Sequence, residues 1–418
     1  MFDLKESFKK NIIASLDIGT HKICAVIAEM DEKETLHILG AGISSSQGLR
    51  QGVVVNLDAA VESIKKAVHE AQLTAGVKID DVIVGIAGEH IKSFNSRGMV
   101  AVSKSGSEII QDDVEKVLNA AKAIALPKDR TVLHRIPQEY IVDNQDGIDN
   151  PVGIKGVRLE AEIHIVTCSE TSVQNIASSV KRAGLRPISF VLESLASSYA
   201  VLDKNEKDLG VAMIDLGGGT TDLIIFCNGT IRHTAVISMG GKNVTKDIAL
   251  ELKTPLEEAE DLKSRFGSCY KNSISRTEYF TVPGIGGRPP REERREELAK
   301  IIQPRMEELF SLASKEIKRS DYGDQIGAGV VLTGGASLLE GCSELAEEIF
   351  GVPVKIGIPI GVRGLEETIN SPVFATGIGL ILYKAQKQDE KFEELEDMEN
   401  LGVKGLFRKV RRFLHENF

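Results

Sequence analysis

A chain of 418 residues, 42% of them apolar, has material for two or three hydrophobic cores and is read as a folded, soluble protein. Its net charge of −10 argues against a general nucleic-acid binder, and no apolar run reaches the ~18 residues that a membrane span needs. The five cysteines (Cys24, Cys168, Cys227, Cys269, Cys342) are scattered and form no CxxC pair, which fits ordinary thiols in a reducing cytosol.

Strand and helix signals alternate along the chain, the pattern of an α/β protein. The first residues carry charges of both signs, and Asp17 and His21 break the apolar stretch that begins at Ile12, so no signal peptide is expected. Ile12–Leu16 and Ile23–Ala28 are apolar runs around a Gly-containing turn. Gly52–Val55 reads as a strand, and Asp58 as the N-cap of a helix through Ala71 with Val61, Ile64, Ala67 and Val68 at helical spacing. Val82–Ile86 is a further buried strand. From Ser93 to Val166 short strands flank one helix, Asp112–Ala125, as in an inserted α+β unit. Helix, strand and helix follow from Ser172 to Ala200. Val211–Asp215 and Leu223–Cys227 then restate the opening pair of strands, which implies two similar halves. Lys253–Arg305 is polar with a loop at Pro283–Pro290, and helical pattern resumes through Ile317. A strand at Val330–Leu332 runs into Gly334–Gly335 and a helix from Leu338, and Val373–Lys384 is an apolar helix. Lys387–Asn400 holds seven acidic residues against two lysines and reads as a solvated linker.

Two loops stand out. Asp215-Leu-Gly-Gly-Gly-Thr-Thr-Asp222 sets three adjacent glycines and two hydroxyls between strands, and Asp17-Ile-Gly-Thr-His-Lys22 repeats the plan with one glycine. A triphosphate requires backbone N–H donors at close range, which glycine permits because it has no Cβ. Each Asp ends its strand, where it can hold Mg²⁺ through water. A single such turn is more often a plain hairpin. The pair, joined by Gly334-Gly335 after a third strand, points to a nucleoside triphosphate. No GxxxxGK[ST] and no helix-opening GxGxxG is present, so P-loop and dinucleotide folds are not expected.

The ordered set Asp17-Ile-Gly-Thr, Glu193-Ser-Leu-Ala-Ser, Asp215-Leu-Gly-Gly-Gly-Thr-Thr-Asp222, Thr333-Gly-Gly-Ala-Ser and Ala375-Thr-Gly-Ile-Gly379 resembles the five signatures of the actin, Hsp70 and sugar-kinase superfamily. Within it, His134-Arg-Ile-Pro-Gln-Glu-Tyr-Ile-Val-Asp143 and Asn150-Pro-Val-Gly-Ile-Lys-Gly-Val-Arg-Leu-Glu160 resemble the FtsA family of bacterial cell-division proteins. That resemblance implies a two-lobed, actin-like (ribonuclease H-like) α/β ATPase fold. It places subdomain 1A at 1–83, 164–196 and 372–385, an inserted subdomain 1C at 84–163, 2A at 197–241 and 305–371, and 2B at 242–304. A flexible acidic linker at 386–401 would lead to a helix at 402–418. The cofactors it implies are ATP and Mg²⁺. Asp17 and Asp215 would face the metal, and Glu193, a catalytic candidate with Asp215, would position the attacking water. The nucleotide contacts would be Gly19, Thr20, His21, Lys22, Gly217, Gly218, Gly219, Thr220, Gly240, Gly241, Lys242, Gly334, Gly335 and Ser337. Bland alternatives stand beside two of these: Glu193 as a carboxylate stabilised at a helix N-terminus, and Lys242 as an exposed lysine. At most slow Mg-dependent hydrolysis is expected, because turnover depends on placement that sequence does not report.

In the tail, Val403, Leu406, Phe407, Val410, Phe413 and Leu414 recur at helical spacing, with Lys404, Arg408, Lys409, Arg411 and Arg412 between them. This is the pattern of a helix lying in a membrane interface, Leu406 to Leu414 forming its centre, each cation contributing about 1 kcal/mol near an anionic leaflet. The alternative is docking on the chain's own core or a partner's groove. The resemblance adds a similar membrane-targeting helix, self-association into an actin-like filament, binding of the C-terminal peptide of the ring protein FtsZ by 2B, and contacts of 1C with later division proteins at the cytoplasmic face of the inner membrane. Arg288, Arg291, Arg294 and Arg295 could meet an acidic peptide, although the interspersed Glu292, Glu293, Glu296 and Glu297 fit an ordinary solvated helix equally well. Two competing readings are a PilM-like pilus-assembly protein, which lacks such a tail, and an ATP-dependent kinase or Hsp70-like enzyme. No feature requires a sugar cleft, and only the linker and tail follow the lobes.

Overall fold

The computed structural model describes residues 11–103, 107–275 and 277–400, the side chains of 273 and 388–400 excepted. In chain order the first half holds β1 (Ile12–Ile18), β2 (Lys22–Met30), β3 (Leu36–Ser45), β4 (Leu49–Arg50), β5 (Val53–Val54), α1 (Leu57–Ala75), β6 (Asp81–Ile86), β7 (Lys92–Ala101), α2 (Gln111–Lys122), β8 (Arg130–Val142), β9 (Gln145–Ile148), β10 (Arg158–Ser169), α3 (Glu170–Arg182), β11 (Arg186–Leu192) and α4 (Glu193–Val201). The second half holds α5 (Lys204–Leu209), β12 (Val211–Leu216), β13 (Thr221–Cys227), β14 (Thr230–Ile237), α6 (Gly241–Leu252), α7 (Leu256–Phe266), β15 (Tyr279–Val282), β16 (Arg291–Arg294), α8 (Arg295–Arg319), β17 (Val330–Thr333), α9 (Cys342–Phe350), β18 (Val354–Ile356), β19 (Val362–Arg363), α10 (Glu366–Ile369) and α11 (Ala375–Asn400).

Two sheets follow one plan. In the first, of order β11-β6-β1-β2-β3-β19, β1 pairs antiparallel with β2 and parallel with β6. In the second, of order β14-β13-β12-β17-β18, β12 pairs antiparallel with β13 and parallel with β17. The repeat read in the sequence is therefore a repeat of topology. We call the halves built on these sheets lobe one and lobe two. Both central strands are buried on both faces, as their near-continuous apolar runs require. Along β12, Val211 and Met213 join the core of lobe one, while Ala212 and Ile214 join a second core with α6 and α8. α4 touches strands of both sheets, so the lobes share a packed base.

A third, antiparallel sheet of order β7-β10-β8-β9 grows between β6 and α3 of lobe one. α2 packs on it through Val114 and Val117, against Leu159 and Ala161 of β10. This is the α+β insert that the change of texture after Ser93 foretells.

Three local expectations are corrected. The N-cap of α1 is Asn56, whose Oδ1 accepts from Ala59 N at 3.1 Å; Asp58 sits in the first turn, where its charge still favours the helix. After Gly334 the chain makes only a 3-10 turn, Gly335–Leu338, and the helix begins at Cys342 behind Gly341. The acidic stretch expected as a linker continues α11 to Asn400 as helical backbone, for which its Glu, Leu and Met content suits it. The polar segment expected as a loop at 283–290 joins β15 to β16 in a hairpin.

Candidate functional site

The turn between β1 and β2 and the turn between β12 and β13 face each other. A Cβ placed on Gly219 would lie 2.6 Å from Thr20 Oγ1, and one on Gly218 would lie 2.5 Å from His21 Cβ. These glycines thus let the two turns close on each other, whatever else they approach. Lys242 Nζ donates to Thr20 O across the gap at 2.7 Å. The first amides of α6 are used within lobe two: Gly241 N donates to Gly217 O and Lys242 N to Gly218 O.

Behind the turns four acids gather, Asp17, Glu193, Asp215 and Asp222, with the half-buried ammonium of Lys22 among them. Lys22 Nζ lies 2.6 Å from Asp17 Oδ2; burial opposes its charge, but Asp17 and Asp215 more than offset this and raise its pKa. Asp215 Oδ2 accepts from Ser197 Oγ at 2.8 Å and Thr376 Oγ1 at 3.4 Å, and burial raises its pKa. Asp222 Oδ2 accepts from Thr220 Oγ1 at 2.9 Å. Its Oδ1 is buried without a partner, and desolvation with Asp215 nearby pushes the group up to about 7. Glu193, the first residue of α4, is held well above the ordinary carboxylate range by burial and then by Asp17, Asp222 and Asp215. Four carboxyls, one lysine and an orphaned carboxylate oxygen make a site short of positive charge. Among the described residues no three His, Cys, Asp or Glu side chains converge to ligate a metal directly. That chemistry fits Mg²⁺, which retains several waters and uses one or two carboxylates.

The acids form one end of a cavity of about 400 Å³, within the range of small-molecule sites. Gly334 takes φ 82 and lies against Asp215, where a Cβ would meet Oδ1 at 2.3 Å. From there the lining turns apolar, with Ala336, Leu338, Leu339, Pro372 and Val373. On the lobe-two side α7 contributes Glu260, Lys263 and Ser264. Lys263 Nζ is 2.8 Å from Glu260, 3.0 Å from Thr245 Oγ1 and 3.3 Å from Gly241 O, and Thr245 Oγ1 also bonds Glu260. Burial works to raise Glu260, but Lys263 outweighs it and its pKa is lowered. Glu260 also lies 3.7 Å from His21 across the cavity, and burial lowers the His21 pKa.

Three comparisons bear on these features. The profile described as "Cell division protein FtsA" matches residues 212–379, and that described as "SHS2 domain inserted in FTSA" matches 88–167. The chain is 48% identical over 379 residues to the cell division protein FtsA of Pseudomonas aeruginosa, covering 91% of this chain and 90% of that one. The chain belongs to the FtsA family. Its fold is actin-like: it matches a PilM-PilN type IV pilus biogenesis complex at TM-score 0.65 and 18% identity, over 89% of this chain and 98% of that one. It also matches MreB5 of Spiroplasma citri bound to ADP at TM-score 0.54 and 16% identity, over 92% and 99%.

In this FtsA-family chain, the residues singled out in the sequence come together from five separated segments. Asp17, Gly19, Thr20, His21, Lys22, Glu193, Asp215, Gly217, Gly218, Gly219, Thr220, Gly241, Lys242, Gly334 and Gly335 all line the one cavity. Gly240 and Ser337 are not in its lining: Gly240 packs on Gly217 O, and the Ser337 hydroxyl donates to Gly334 O at 2.7 Å. Glu260 and Lys263 were missed, because an i, i+3 acid–base pair on a helix reads as a solvated face. Asp222 and Thr376 stood inside quoted motifs without a role. Leu406, Phe407, Arg408, Lys409, Val410, Arg411, Arg412, Phe413 and Leu414 lie outside the described residues.

Proposed function

We propose that this FtsA-family chain binds Mg-ATP in the cavity between its lobes and serves as an actin-like adaptor that polymerises and attaches the FtsZ ring to the cytoplasmic face of the inner membrane. The observation that carries the nucleotide reading is the meeting of the Asp17–Lys22 and Asp215–Asp222 turns over a buried, under-compensated acid cluster. The ADP-bound structure of an MreB relative with the same fold supports it. Bound Mg²⁺ would supply charge neutralisation for the phosphates. Asp215, oriented by Ser197 and Thr376, and Asp17 are the residues suited to hold its waters. Backbone at Gly19–Thr20 and Gly217–Gly219 would approach the phosphates, with Lys22 and Lys242 beside them. Lys263 and Glu260 are suited to sugar hydroxyls, and Leu338, Leu339 and Val373 to the flat base. Glu193, whose pKa burial and the neighbouring acids raise, would orient a water. Substitution of Asp215 by Ala is expected to weaken Mg-ATP binding about tenfold or more in calorimetry, since one lost metal contact of 1.4 kcal/mol already has that effect. Equal affinity would remove the metal role.

The adaptor part of the reading rests on family membership, on subdomain boundaries as set out from the sequence, and on the basic amphipathic pattern of 402–418. Its partners would be a second copy of the chain, anionic lipid, the FtsZ C-terminal peptide at 2B and other division proteins at 1C. Fluorescence anisotropy with a labelled FtsZ C-terminal peptide tests it: saturable binding is expected, and a flat titration overturns the FtsZ assignment.

A further inference from the structure

We propose that the inserted four-stranded sheet is a bracket across the hinge between the lobes, limiting how far lobe two can swing from lobe one. Between the sheets the chain itself crosses at 202–210 and at 357–361, so lobe two can rotate about an axis through those crossings. The insert adds a third tie at the far edge of lobe two. Edge strand β14 lies two strands from β12, about 10 Å at the usual strand spacing. A tie displaced from the axis resists rotation that ties on the axis permit.

The tie is built of polar groups, with Gln138, His164, Arg232 and Thr234 buried at its centre and Ser93, Asn95 and Glu139 at its rim. Ser93 Oγ donates to Thr234 O at 2.8 Å, and Asn95 Nδ2 to Arg232 O at 3.3 Å, so alternate residues of β7 satisfy alternate outward carbonyls of β14. Side chains of β7 thereby cap the edge of β14. Gln138 Nε2 donates to Ile231 O at 2.6 Å. His164, 1% exposed, is held between Asn95 Oδ1 at 2.7 Å and Thr234 Oγ1 at 2.9 Å. Arg232, 7% exposed, pairs with Glu139 at 2.8 Å. Separating these surfaces would exchange each of these bonds for bonds to water, at a net cost of about 0.5–1.5 kcal/mol apiece.

The insert is anchored equally to lobe one. Leu192 N donates to His134 Nε2 at 3.0 Å, and the His134 ring meets Tyr383 of α11 edge-on, 6.1 Å between centroids. Val166 and Cys168 are buried in the lobe-one core, with Leu133 and Ile136 packed against it. A body fastened on both sides of a hinge sets its range of motion.

The test uses spin labels on Leu73→Cys of α1 and Leu250→Cys of α6, both exposed, in the full chain, whose own five cysteines are buried. Distances are measured by double electron–electron resonance without nucleotide, so the result does not depend on the nucleotide reading. In the background Ser93→Ala/Asn95→Ala, a longer and broader lobe-to-lobe distribution is expected. Amide exchange in β14 should quicken on the order of tenfold or more, the effect of losing two neutral hydrogen bonds to β14 together with the Asn95–His164 bond that orients the ring. Should circular dichroism show that the double variant does not fold, Glu139→Gln, which keeps the shape and removes the charge pair, replaces it with the same expectation. A distribution unchanged in the folded variant overturns the proposal.

Discussion

At the scale of single residues, the acid cluster sets a pH dependence with a definite sign. Asp222 rises from an ordinary 3.8 to about 7 because burial and Asp215 disfavour its charge. Between those values the folded chain holds a proton that the unfolded chain has released, so the stability of the ligand-free protein falls as pH rises through this window. The loss has an upper bound of roughly 4 kcal/mol, from a shift of about three pKa units. Chemical denaturation at pH 5 and pH 8 is expected to show the decline, and Asp222→Asn to flatten it. An identical slope in the variant would assign the dependence to other groups. Mg²⁺ at the cluster would supply the missing positive charge, so added Mg-nucleotide should stabilise the chain more at the higher pH.

At the scale of elements, the contact between α4 and α11 joins the two lobes at their shared base. Gly379 sits inside α11, where an Ala Cβ would meet Ala196 O of α4 at 1.9 Å. An isolated helix would gain up to ~1 kcal/mol from Gly→Ala. Overpacking of the crossing costs roughly 1–3 kcal/mol and should win, because the obstructing atom is backbone and cannot rotate away. Gly379→Ala is therefore expected to lower the denaturation midpoint, and a rise would show that the helices separate freely. The same contact gives the Ala375–Gly379 segment two roles: Thr376 reaches Asp215 and Gly379 admits α4.

At the scale of the whole molecule, nucleotide and membrane are expected to be separable. Deleting 402–418 should abolish co-sedimentation with anionic vesicles, since five cations of about 1 kcal/mol each and the apolar stripe go together. Mg-ATP affinity and thermal midpoint should stay unchanged. Vesicle binding that survives the deletion overturns the membrane role. Higher salt should weaken binding by the full chain, because exposed charges are screened. A single short helix binds reversibly, and a filament would multiply its hold through avidity.

The sequence by itself determined the elements whose signals are local. The doubled strand–turn–strand plan, the buried strands and the insert were legible because side-chain period and glycine placement report backbone geometry directly. It also named most of the cavity, since Asp17, Glu193, Asp215 and Gly334 each end a strand or open a helix or turn within a recognisable motif. Only the tertiary structure decided which surfaces meet. Glu260 and Lys263 stand in no sequence motif, and the fold gives them a role by turning α7 toward Gly241; Ser93, Asn95 and His164 likewise gain theirs only because β14 lies against them. Such roles depend on partners far along the chain, 22 residues for Lys263–Gly241, 70 for His164–Thr234 and 141 for Ser93–Thr234, and a local pattern contains no term for them.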